Sequence, residues 1–148
     1  LGRCRPVGTT DSEHAFCWLL EQINKQFDKK PTPATLWRFV ESCLRVLAQY
    51  GVLNVLMSDS RDLACFCSTK LYWVTRHGNS GEPRLKDQEM QVNFLREPAC
   101  ADAVTVICTE PLTRAEAWSA FEKHEFRVFR AGKTVLHSQQ SRLASQAG

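Results

Sequence analysis

The chain has 148 residues, 43% of them hydrophobic and 24% charged, with 19 Lys and Arg against 16 Asp and Glu. That length fits one ordinary domain, able to bury about 68–70% of its unfolded surface, and the composition excludes the disordered and fibrous classes. The small positive excess is scattered among acidic residues, so it forms no basic stripe of the kind that a nucleic-acid partner requires.

Seven cysteines, Cys4, Cys17, Cys43, Cys65, Cys67, Cys100 and Cys108, form an odd set without framework spacing. They fall mostly inside apolar runs, which fits a reducing compartment rather than a disulfide scaffold. No stretch approaches the ~18 consecutive apolar residues of a membrane span, and the start has no apolar run behind Arg3 and Arg5. The expectation is a cytoplasmic protein with no membrane partner.

After a lead-in containing Pro6, Thr10 and Glu13 have the spacing of a capping box, in which two side chains satisfy backbone N–H groups at a helix start. Phe16, Leu19, Leu20, Ile23 and Phe27 then recur at steps of three and four, and Asp28–Pro31 ends the pattern. Thr32 followed by Pro33 predicts a second helix. Its stripe is Leu36, Val40, Cys43, Leu44 and Leu47, with Gly51 placed to take a left-handed terminating conformation.

Short β-type runs follow, at Leu53–Met57, Leu63–Cys67 and Leu71–Thr75. Ser58–Arg61 and Ser68–Lys70 read as the turns of two hairpins in an antiparallel meander. His77–Arg84 reads as a loop, Val92–Leu95 as a strand, and Val104–Cys108 as a central strand covered on both faces. A short helix is predicted within Arg114–Glu122, then a hairpin of Phe126–Phe129 and Thr134–Leu136 turning around Ala131–Lys133. Arg127 and Arg130 beside Phe126 and Phe129 fit a half-buried strand better than a nucleic-acid groove.

Two helices followed by strands predict an α+β fold, with helices on one face of a mainly antiparallel sheet. The expected folded region is 1–137, and the Ser-, Gln- and Ala-rich residues 138–148 are expected to be a disordered tail.

The block Arg5-Pro6-Val7-Gly8-Thr9-Thr10-Asp11-Ser12-Glu13, continuing through His14-Ala15-Phe16-Cys17-Trp18-Leu19-Leu20, resembles a stretch of class II glutamine amidotransferase domains. Gly51–Asp59, Cys67–Arg76 and Ala103–Thr113 extend the likeness over nearly the whole chain, closest to the bacterial YafJ-type members. The Thr-Asp-Ser-Glu motif alone is weak, because many unrelated helices begin that way; four blocks in order are strong. The resemblance implies an N-terminal-nucleophile hydrolase fold, an αββα sandwich of which this chain is the later part.

It also implies a chemistry in which an N-terminal cysteine attacks the amide of glutamine or of a γ-glutamyl compound, with its own α-amino group as base. In that family the aspartate of the motif binds the substrate α-ammonium, a role that falls here on Asp11, with Thr10 and Glu13 supporting the site. A carboxylate suits an ammonium, and the helix macrodipole favours an anion in the first turn by about 0.3–1 kcal/mol. The nucleophile, the carboxylate-binding arginine and the oxyanion-stabilising Asn-Gly pair match no position here. The chain is therefore expected to lack a catalytic residue, to be inactive alone and to need an N-terminal fragment or partner chain. The other expectation is a non-catalytic binding or assembly module.

No cofactor or metal is expected. His14 and Cys17 lie three apart on one helix, yet metal sites need three or four ligands. Cys65 and Cys67 share a strand face but lack the helix start that activates a redox dithiol. Trp18, Trp37, Trp73 and Trp118 read as packing residues; His77 and His124 lie in or beside loops with no paired acid, and His137 precedes the tail. Cys4 lacks the free α-amino group that the family nucleophile uses as its base.

Overall fold

The computed structural model describes residues 4–77, 103–114 and 116–139. The predicted strand Val92–Leu95, most of the predicted loop from His77, and residues 140–148 lie outside them. The chain divides into two compact units, residues 1–53 and 54–148.

The first unit is a pair of helices, α1 (Asp11–Gln26) and α2 (Pro33–Leu47). Both begin as the sequence predicts. Thr10 Oγ1 accepts the Glu13 N–H at 3.3 Å, and Thr32 Oγ1 accepts the Thr35 N–H at 3.3 Å, with Pro33 in the first turn of α2. Phe27, just past α1, meets Phe39 of α2 edge-on at 5.4 Å.

Burial departs from the predicted stripes at defined places. Phe16 is half exposed; the buried residues of α1 are Leu19 and Cys17, the latter in contact with Cys4 of the lead-in. Trp37 joins Val40, Cys43 and Leu44 in the core of α2, while Leu36 and Leu47 are only partly covered. Gly51 does not close α2 in a left-handed conformation. Instead Ala48, Gln49 and Tyr50 donate to the carbonyls of Leu44, Val46 and Leu47 at 2.9–3.1 Å, a tightened last turn that satisfies those groups without glycine.

The second unit holds two antiparallel sheets. The first has the order β1 (Val55–Ser58), β2 (Leu63–Cys67), β6 (Glu125–Arg130), β7 (Lys133–Ser138). The second has the order β4 (Val104–Cys108), β3 (Tyr72–Arg76), β5 (Ser119–Ala120). The helix–helix–strand order and the antiparallel pairing confirm the α+β class.

Three local predictions are corrected here. Ser68–Lys70 is no hairpin turn: β2 pairs with β1 and β6, β3 pairs with β4 and β5, and the segment carries the chain between sheets. Asn54 Oδ1 fixes it by accepting the N–H groups of Ser68 at 3.0 Å and Thr69 at 3.2 Å. Val104–Cys108 is an edge strand among the described residues, and the strand covered on both faces is β2, where Ala64, Cys65, Phe66 and Cys67 are all buried. β-Branched composition signals a pleated surface, not coverage of both its faces.

The predicted helix within Arg114–Glu122 does not form, because side-chain bonds override its propensity. Arg76 grips Glu116 through two hydrogen bonds of 2.6 and 2.7 Å, Thr113 donates to the same carboxylate, and Trp118 donates to Thr113 at 3.0 Å. The segment then adds β5 to the edge of β3.

The last hairpin forms with longer strands than predicted. Ala131 and Gly132 both have positive φ, 46° and 72°, as in a type I′ turn. A Cβ on Gly132 would stand 1.9 Å from the Ala103 carbonyl oxygen, so glycine is required there by space as well as by angle. Cys65, Cys67, Phe129, Leu71 and Phe121 pack together with Trp73 and Ile107, joining the inner faces of the two sheets.

Candidate functional site

The Gly8–Glu13 segment is a helix entrance built almost entirely from its own atoms. Thr10 caps Glu13, while the Glu13 carboxylate reaches back past Thr10 and accepts the N–H groups of Val7 at 2.6 Å and Gly8 at 2.8 Å. The reach is thus longer than that of the simple capping box, in which Glu13 would return to the Thr10 N–H. Gly8 makes room for it: a Cβ there would sit 2.7 Å from Glu13 Oε2.

Between these supports Asp11 opens α1 and is exposed. Its Oδ1 accepts the Ser12 N–H at 2.7 Å and, more weakly, the Ser12 hydroxyl at 3.4 Å. Among the described residues, Oδ2 accepts no hydrogen bond. The entrance therefore presents one carboxylate oxygen to solvent at the positive end of a helix, on a backbone held by Thr10 and Glu13. Such an oxygen can accept from a ligand N–H, with the added strength of a charge-assisted bond when the donor is an ammonium.

The cysteines are disposed otherwise. Burial raises the thiol pKa of Cys43, of Cys67, and of Cys65, which is pushed up to about 12. Such thiols stay protonated and are poor nucleophiles. Cys4 Sγ lies 2.8 Å from Cys17 Sγ, and the Cys17 thiol is raised to about 11, chiefly by that hydrogen bond and then by burial. Cys17 thus faces Cys4, not His14, which is exposed.

Sequence reasoning missed the polar clusters of the sheet unit. Arg130 holds the fully buried Asp62 through two bonds of 2.6 and 2.7 Å. Arg127 holds the buried Glu125 at 2.7 and 2.9 Å while lying over the Trp73 ring at 4.8 Å, and His137 Nε2 stands 3.1 Å from the same carboxylate. Arg127 and Arg130 are therefore cross-links of the fold. A pocket of about 170 Å³ borders Asp62, Ser58, Arg61, Thr105 and Gly132, but both oxygens of Asp62 are already engaged by Arg130.

Trp73 and Trp118 are accounted for by these contacts, and Trp37 by core packing. No described helix is long and apolar enough to cross a membrane.

Comparison with known proteins adds a further finding. The family described as "Glutamine amidotransferases class-II" matches residues 1–148. The Escherichia coli protein named "Putative glutamine amidotransferase YafJ" is 40% identical over 136 residues, covering 91% of this chain and 53% of that protein. A Haemophilus influenzae protein named "Putative glutamine amidotransferase" is 32% identical over 131 residues, covering 88% and 45%. The crystal structure of a "predicted glutamine amidotransferase" from Pseudomonas aeruginosa superposes with a TM-score of 0.84 at 39% identity, covering 92% of this chain and 54% of that one. The chain thus spans about half the length of the relatives it matches.

Proposed function

The chain belongs to the class II glutamine amidotransferases, and from that premise we propose that it supplies the ammonium-binding part of a glutamine site, with Asp11 as the carboxylate that holds the substrate. The observation that carries this reading is the free Oδ2 of Asp11 on a helix entrance whose other acceptors are engaged by the backbone. Glutamine or a γ-glutamyl compound carries an α-ammonium of matching charge and donor capacity. Thr10 and Glu13 act by holding the backbone under Asp11.

The reaction proposed for the whole catalytic unit is attack of a cysteine thiolate on the side-chain amide of glutamine, giving a γ-glutamyl thioester and ammonia. Water or an acceptor then releases the enzyme. The nucleophile is proposed to lie outside these 148 residues, in the part of the relatives that this chain does not span; the protonated, buried thiols of Cys43, Cys65 and Cys67 and the turning of Cys17 to Cys4 support that placement. The N-terminal-nucleophile hydrolase class belongs to the same proposal. The thiols of Cys43, Cys65 and Cys67, buried within the fold, support a reducing, cytoplasmic setting.

The test is ammonia release from glutamine, measured for this chain alone and with a cysteine-bearing amino-terminal half of a relative supplied separately. The chain alone should be inactive and the pair active. In the pair, Asp11→Asn should raise KM by about 10- to 100-fold, the worth of a hydrogen bond to a charged group. An unchanged KM removes Asp11 from the site, cysteine-dependent release by the chain alone overturns the mechanism, and silence in every pairing favours a non-catalytic binding module.

A further inference from the structure

Cys4 and Cys17 are thirteen residues apart, yet their sulfurs stand 2.8 Å from one another. A disulfide needs about 2.05 Å, so less than about 1 Å of side-chain movement separates the contact from a bond. Cys17 is buried on α1, whereas Cys4 is half-buried in the lead-in and is the member open to a reagent. The remaining described thiols offer no comparable pair. Cys65 and Cys67 share a face of β2 but are two residues apart along an extended strand, about 6.6 Å at the usual rise.

We propose that Cys4 and Cys17 are a redox modification site, which a low-molecular-weight disulfide such as oxidised glutathione converts to an intramolecular disulfide that ties the lead-in to α1. The Cys4 thiolate attacks one sulfur of the reagent, whose S–S bond breaks and releases one thiol. Cys17 then attacks the Cys4 sulfur of the mixed disulfide, gives up its proton and expels the second thiol. Two protein thiols are oxidised and one disulfide is reduced to two thiols.

The new ring would enclose Gly8–Glu13, whose backbone N–H groups are held by the side chains of Thr10, Asp11 and Glu13. Oxidation would therefore restrict the lead-in on which Glu13 closes.

The sequence permits a direct test. Trypsin cuts after Arg3 and Lys25 but not between Arg5 and Pro6, so both cysteines fall in one peptide, 4–25. After the folded chain is treated with oxidised glutathione and then iodoacetamide, this peptide should be two hydrogens lighter and take no label, and dithiothreitol should reverse the change. Closure should be faster in the folded chain than in urea. Glutathione retained on Cys4, label on both cysteines, or closure as fast in urea as in the fold would each overturn the proposal. None of these readouts depends on glutamine.

Discussion

In the helical unit the first-turn carboxylates Asp11 and Glu13 lie at or near the surface and accept backbone N–H groups of their own segment, from Val7, Gly8 and Ser12. In the sheet unit Asp62, Glu116 and Glu125 are wholly or largely buried, and each is matched to an arginine by two hydrogen bonds. A carboxylate removed from water must be paired, so those of the sheets are consumed in holding the fold. A carboxylate at a helix start needs no such partner, and Asp11 keeps one oxygen exposed to solvent.

The largest break in this contrast should come at Glu125. Its side chain is 2% exposed and accepts from Arg127 and the Glu122 N–H, with His137 beside it. Glu125→Ala leaves the Arg127 guanidinium largely buried without its anion. Urea unfolding should then show a loss of about 3–5 kcal/mol, the usual result of removing one partner of a buried pair.

Glu116 should show a smaller effect, tied to pH. The Arg76 hydrogen bonds, aided by Thr113, hold its carboxyl below the ordinary value of 4.5 despite burial, which acts the other way. With the folded pKa depressed, the stabilisation is fully present above the ordinary range and is lost as pH falls through the folded pKa. Unfolding midpoints of Glu116→Gln and the parent protein should therefore differ most at neutral pH and converge in acid.

The smallest effects belong to the helical unit. Thr10→Ala removes a cap worth about 1 kcal/mol, whereas Asp11→Asn should change stability by less than about 0.5 kcal/mol, because the side chain is exposed and Asn still offers an oxygen to the Ser12 N–H. Thermal unfolding followed by helical circular dichroism separates the two. A large loss at Asp11 would assign that carboxylate to the fold.

What the sequence disclosed was local. Caps at Thr10 and Thr32, the bounds of β2 and the Ala131–Gly132 turn depend on residues a few positions apart, and these were legible. The partnership of β2 with β6 joins segments some sixty residues apart, and the Asp62–Arg130 and Arg76–Glu116 pairs span 68 and 40 residues. No periodicity or spacing encodes such contacts. The helix expected within Arg114–Glu122 failed for the same reason, since Arg76 lies far upstream of the Glu116 it captures. The role proposed for Asp11 comes from the family resemblance; propensity alone makes it one more first-turn acid.

The central claim is that Asp11 reads an α-ammonium, and the amide resonance of Ser12, which donates to Asp11 Oδ1 at 2.7 Å, reports on that carboxylate directly. Titrated with L-glutamine in the pair with a cysteine-bearing amino-terminal half, this chain should show a saturable shift of the Ser12 amide that is absent with the analogue lacking the α-amino group and absent in Asp11→Asn. A Ser12 resonance that ignores glutamine, or responds equally to both compounds, would contradict the account.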